Sequence, residues 1–161
     1  MTDLATLYQT DYSAWAKRNA ELLRARRFDA LDIEHLLEEL SDMSKSDRRE
    51  LHSRLLVMIA HLLKWEFQYQ NLAERWREFD GRRWRSTIIQ QREQIADLLA
   101  ESPGLKSQLD EAIAGAYSAA VRLAHKETRL PLATFPERCP YASEQLLSDD
   151  FYPGVPPSLQ P

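Results

Sequence analysis

Residues 51–69 read LHSRLLVMIAHLLKWEFQY, and the spacing of their apolar side chains decides the fold. Leu51, Leu55, Met58, Leu62, Trp65 and Tyr69 recur at steps of four and three, one face of an α-helix. Leu56, Ile59, Leu63 and Phe67 form a second stripe beside the first. A helix that is apolar on more than one side lies at the centre of its domain. The helix is expected over about Asp47–Tyr69. A turn of about 100° per residue from Leu51 puts His61 near 280°, among Glu50, Arg54, Val57, Lys64 and Gln68. That is the polar stripe, so His61 is expected on the wet face or on a second, polar contact. Glu66 falls beside Leu55 and Ile59, where an unpaired carboxylate is costly. Its side chain is therefore expected to escape to water at the helix end.

Toward the N-terminus, residues 31–43 read LDIEHLLEELSDM. Asp32 can cap this segment, and Ile33, Leu36, Leu37, Leu40 and Met43 form its apolar face. Ser44 and Ser46 can each cap a new helix, which predicts a turn or kink there. Earlier still, Tyr8, Tyr12, Trp15, Asn19 and Leu22 mark a helix beginning near Asp11. Arg24, Arg26 and Arg27 suit its C-terminal end. Asn19, on the apolar stripe, is either a buried polar residue that fixes register or an edge residue, and the usual exposure of asparagine favours the edge.

Toward the C-terminus, Gly81 marks a break, and a helix then carries Trp84, Ile88, Gln91, Ile95 and Leu98 or Leu99. Ser102 followed by Pro103 is a specific helix start. The helix it opens is rich in alanine, which allows a neighbour to approach closely. Seven of the eight prolines lie after residue 130, so the chain turns extended there. Leu130, Leu132, Phe135, Tyr141, Leu146, Phe151 and Tyr152 are too many apolar anchors for a free tail. One short helix is expected near Ser143–Leu147, and residues 154–161 are expected to fray. No strand-like alternation persists. The expected fold is all-α: an up-down helix bundle of about five helices, with the Pro-rich C-terminal segment packed across it. Residues 1–153 are expected to form a single domain.

Composition narrows the function classes. The chain has 161 residues, 43% of them hydrophobic and 29% charged, with a net charge of −4. Such a molecule lacks the broad positive field of a non-specific nucleic-acid binder. Cys139 is the sole cysteine, which excludes an internal disulfide and a cysteine-based zinc knuckle. No apolar run approaches the roughly 20 residues that span a bilayer. The N-terminal MTDLATLYQT shows no signal-peptide pattern, so a cytoplasmic protein is expected.

The chain resembles the bacterial family catalogued as domain of unknown function twenty-nine. The resemblance rests on TDYSAWA, ELLRARRFDALDIEHLLEEL, HLLKW, WRSTI and LPLATFPERCPY, and it covers about residues 8–153. It implies a compact helical protein with no assigned activity and no assigned catalytic residues.

The residues themselves carry no catalytic constellation. A di-iron bundle needs Glu-x-x-His on two helices, and no glutamate here has a histidine three residues later. His35 and Glu39 lie one turn apart, but on the side opposite Ile33, Leu37 and Leu40, so they are expected to see solvent. His52 reads as a boundary residue, and His125 has no partner near it in sequence. Cys139 has no nearby histidine and reads as structural. No metal or cofactor is expected.

Two functions stay open. One is a non-enzymatic cytosolic helical interaction module, binding a protein partner or itself. The other is a nucleic-acid-associated protein. Its candidate binding residues are Arg75, Trp76, Arg77, Arg82, Arg83 and Arg85, where arginine and tryptophan interleave as phosphate and base contacts require. Glu74, Glu78 and Asp80 offset much of that charge.

Overall fold

The computed structural model describes residues 2–69 and 81–154. Among them the chain is all-α, with no strand. The helices are α1 (Leu4–Thr10), α2 (Tyr12–Arg24), α3 (Ile33–Phe67), α4 (Arg82–Glu101), α5 (Leu109–Thr128) and α6 (Ser143–Leu147). Short 3-10 turns cover Phe28–Ala30, Pro103–Gln108 and Leu132–Thr134. The chain divides into two compact units, one ending at Ser46 and one beginning at Asp47. Residues Arg75, Trp76 and Arg77 lie outside the described residues, as do 155–161 of the expected frayed tail.

In the first unit, two aspartates punctuate the chain. The Asp3 carboxylate accepts the Thr6 N–H at 2.8 Å and starts α1. The Asp11 carboxylate accepts the Ala14 N–H at 3.0 Å and starts α2, as its sequence position predicts. Tyr8 therefore belongs to a separate helix, and the stripe read from Tyr8 to Leu22 runs across a corner. α2 ends with Arg27 N–H on Leu22 C=O and Arg26 N–H on Leu23 C=O, the Schellman pattern. Arg26 sits at φ 56°, where glycine is usual.

Asp32 accepts the backbone N–H of His35 and caps α3, as expected. The predicted kink at Ser44–Ser46 does not form: α3 runs unbroken through 35 residues. Serine costs a helix interior only a few tenths of a kcal/mol against alanine, so capping potential does not by itself break a helix.

The second unit is built around the other half of α3. Leu55, Met58, Ile59, Ala60, Leu62 and Leu63 are each 0% exposed, as two adjoining stripes require. Ile88, Ile95, Leu98 and Leu99 of α4 and Ile113, Ala116, Ala120 and Ala124 of α5 complete the same core. The alanines at steps of four, Ala116, Ala120 and Ala124, are fully buried along one face of α5. Ser102 stands at the N-cap with Pro103 at the first position, as expected, but of a 3-10 turn and without a side-chain capping bond. Its hydroxyl donates to Asp47 Oδ2 at 2.7 Å, and a 3-10 turn precedes α5.

The C-terminal segment packs against α4 and α5. Phe135, Tyr141, Leu146 and Tyr152 are buried, and Leu130 and Phe151 half-buried. Leu132 is no anchor, being 52% exposed. Gly81 holds φ +70°, and a Cβ there would come within 2.6 Å of the Tyr69 ring, which stacks on Trp65.

Candidate functional site

α3 carries the chemistry-bearing residues of both units, and the two halves differ. In the first unit its polar face turns inward. Asp32 accepts the Trp15 indole N–H at 2.9 Å, and His35 Nδ1 lies 2.7 Å from the same carboxylate. The His35 ring stacks on Tyr8 with centroids 4.0 Å apart. Tyr8 and Tyr12 donate their hydroxyls to the two oxygens of Glu39, at 2.6 Å and 2.8 Å. Asn19 is 1% exposed; its amide donates to Trp15 C=O and its oxygen accepts the Asp32 N–H. Two expectations fail here. Asn19 is the buried polar centre of the corner, not an edge residue. His35 and Glu39 are half-buried rather than on an open wet face: His35 meets Asp32 and stacks on Tyr8, and Glu39 accepts the two tyrosine hydroxyls.

Electrostatics follow from these bonds. Burial pushes the Asp32 carboxyl up, but the donors Trp15 and His35 outweigh it and hold the group below its ordinary value. The two tyrosine donors likewise hold Glu39 down, and the bond to Glu39 pushes both tyrosines up. Every carboxylate in the network is therefore ionised and engaged as an acceptor, which suits a structural brace better than a proton-transfer site.

The inward turn of the polar face leaves the apolar face outside. Ile33, Leu37, Leu40 and Met43 are 49%, 62%, 62% and 65% exposed. The spacing of this stripe predicts a core-facing side. It is instead a row of large side chains on one helix face, and Phe28, 60% exposed, adds a further apolar side chain to the surface of the same unit.

In the second unit His61 is half-buried and its Nδ1 lies 2.8 Å from Val57 C=O. Burial lowers its pKa, and Lys64 lowers it further. Lys64 is only 5% exposed; its ammonium meets Glu127 at 2.5 Å and sits 4.9 Å from the Trp84 ring centre. The supposedly wet stripe is thus the second, polar contact. Glu66 does not escape to water, for it accepts the Tyr141 hydroxyl at 2.6 Å. His125 Nδ1 lies 2.6 Å from Leu130 C=O and ties off the end of α5.

Arg92, which is not among the residues expected from the sequence, is only 3% exposed, the most enclosed arginine among the described residues of this unit. It donates to the carbonyls of Leu146 at 2.9 Å and Phe151 at 2.7 Å, with longer bonds to Gln145 and Asp149. One guanidinium thus gathers the C-terminal end of α6 and the chain beyond it. Its position between Ile88 and Ile95 on the apolar stripe was the available signal.

The remaining candidates do not converge. Arg82, Arg83 and Arg85 are exposed in the first turn of α4, while Trp84 is half-buried against the core. Cys139 borders a cleft of about 400 Å³ lined also by Tyr117 and Tyr141, but burial raises its pKa and keeps it a thiol. Among the described residues no three His, Cys, Asp or Glu side chains gather where one metal ion could sit. No helix among them is long and apolar enough to cross a membrane.

A family model described as a domain of unknown function, DUF29, matches residues 7–152. No curated protein matches the chain, and no solved structure does.

Proposed function

The chain belongs to the DUF29 family, whose description carries no activity, and from that premise we propose that it is a non-enzymatic, cytosolic helical interaction module. One observation carries the reading: the four-residue apolar stripe of α3, 49% to 65% exposed along its length. Large side chains set in a row at helical spacing are the form a helix-in-groove or helix-pairing contact takes. The network behind the stripe braces the helix that presents it.

The test separates binding from folding. A photo-crosslinking side chain at Ser41, beside the stripe, is expected to yield an adduct with another protein chain inside cells. Leu37→Asp with Leu40→Asp is expected to abolish that adduct while shifting urea stability by only about 0.5 kcal/mol, as at other surface sites. Absence of any adduct, or a collapse of stability in the double variant, would show that the stripe is not a binding surface.

A second reading is supported by Arg82, Arg83 and Arg85. Cations in the first turn of a helix oppose its dipole, so their placement does not serve helix stability. Phosphate contact would account for it. Replacing all three by glutamine is then expected to remove salt-dependent binding to single-stranded nucleic acid; binding that survives the replacement would dismiss this reading.

A further inference from the structure

We propose that the partner seated on the α3 stripe is a second copy of this chain, its own α3 stripe lying antiparallel across a twofold axis. The inference rests on the interaction reading and goes on to name the occupant. It is carried by the charges that border the stripe. At about 100° per residue from Leu37, Ile33, Leu40 and Ser44 fall within about 60° on one side of it. On the other side one flank carries Glu34 near 60°, Glu38 near 100° and Lys45 near 80°, in rough helical phase. All three are exposed. This flank is thus acidic at its N-terminal end and basic at its C-terminal end. Up to Ser46, where this unit ends, the opposite flank holds Leu36 and Met43 and no charged side chain.

That polarity selects one pairing. When two identical helices lie antiparallel about a perpendicular twofold axis, a given flank faces the same flank of its mate, with the ends exchanged. The acidic end of each copy then meets the basic end of the other. Placing the axis level with the Ser41–Asp42 bond sets Glu38 opposite Lys45 and Leu40 opposite Met43 at equal distances from it. In a parallel pair the charged flank would face the apolar flank of Leu36 and Met43 and find no counter-charge. The competing intrachain contact is weak: Lys45 Nζ reaches Asp42 Oδ1 only at 4.0 Å, with both side chains more than half exposed.

Sedimentation equilibrium of the full chain tests the proposal. The protein is expected to dimerise. Glu38→Lys and Lys45→Glu, each converting two attractions per dimer into two repulsions, are each expected to weaken dimerisation about tenfold. The chain carrying both exchanges is expected to recover most of the loss, with the recovery shrinking at high salt. A monomer at all concentrations overturns the proposal. So does a dimer insensitive to both exchanges, or a double exchange as weak as the single ones. A monomer that still gives a stripe-dependent adduct with a different protein at Ser41 would overturn self-pairing alone and leave the interaction reading standing.

Discussion

His61 and Leu62 adjoin in sequence and differ in everything else. Leu62 is fully enclosed, so Leu62→Ala is expected to cost about 2 to 5 kcal/mol through lost contacts and a residual cavity. His61 is half-buried, with one ring nitrogen on Val57 C=O and Lys64 nearby, so its cost appears in pH rather than in packing. Its pKa is lower in the folded chain than the ordinary 6.5. Between that lowered value and 6.5 the unfolded chain binds more protons than the folded one, so stability rises with pH across the window. Below the lowered value the contribution is gone. Urea melts across this range are expected to show a shallower slope for His61→Gln than for the parent. An equal slope would mean that His61 titrates alike in both states. The histidine's phase on the helix is written in its spacing from Leu51. What closes over that phase is not, and Lys64 and Glu127 supply it.

At the scale of elements, the ends are where local rules hold best and where one is strained. Asp3, Asp11 and Asp32 all cap as their side chains allow, each by a carboxylate on a backbone N–H three residues on. Arg26 and Arg129 are the exceptions, residues with a Cβ held at φ 56° and φ 62°. Arg26→Gly relieves that conformation and is expected to stabilise the chain by about 1 kcal/mol, read as a raised melting midpoint in urea. No gain would mean that the arginine side chain offsets its own backbone strain. The kink expected at Ser44–Ser46 shows the limit of the same rules. A capping residue permits a break but does not force one.

At the scale of the whole molecule, the segment after Thr128 is part of the second unit's core. Phe135, Tyr141, Leu146 and Tyr152 are buried there, each worth roughly 1.5 to 3 kcal/mol. Together these rival the roughly 5 to 15 kcal/mol that separates most folded domains from their unfolded state. Truncation after Thr128 is therefore expected to abolish the cooperative urea transition of this unit. Arg92→Lys is expected to cost about 3 kcal/mol in the full chain, because one ammonium cannot reach carbonyls that a planar guanidinium spans. Urea melts of the two full-length chains check this, and an unchanged midpoint would show that these carbonyl bonds contribute nothing to stability.

The sequence by itself determined the helices, the centre of the core and the anchored tail. Those follow from period, and period is a local property: Leu51 to Trp65 can satisfy their spacing only as a helix, and two stripes can be covered only from two sides. Which face of a helix turns inward is not local. The period of Ile33, Leu37, Leu40 and Met43 was legible, and it pointed to the wrong side. Burying a polar face is costly only when its groups lack partners. Tyr8, Tyr12, Trp15 and Asn19 provide partners for Asp32, His35 and Glu39, and they do so from other helices. The same reason governs Lys64 with Glu127, Glu66 with Tyr141, and Arg92 with the carbonyls of Leu146 and Phe151. Each pair is separated by more than fifty residues. Only the tertiary structure brings such partners together, and by doing so it decides which surface is left for another molecule.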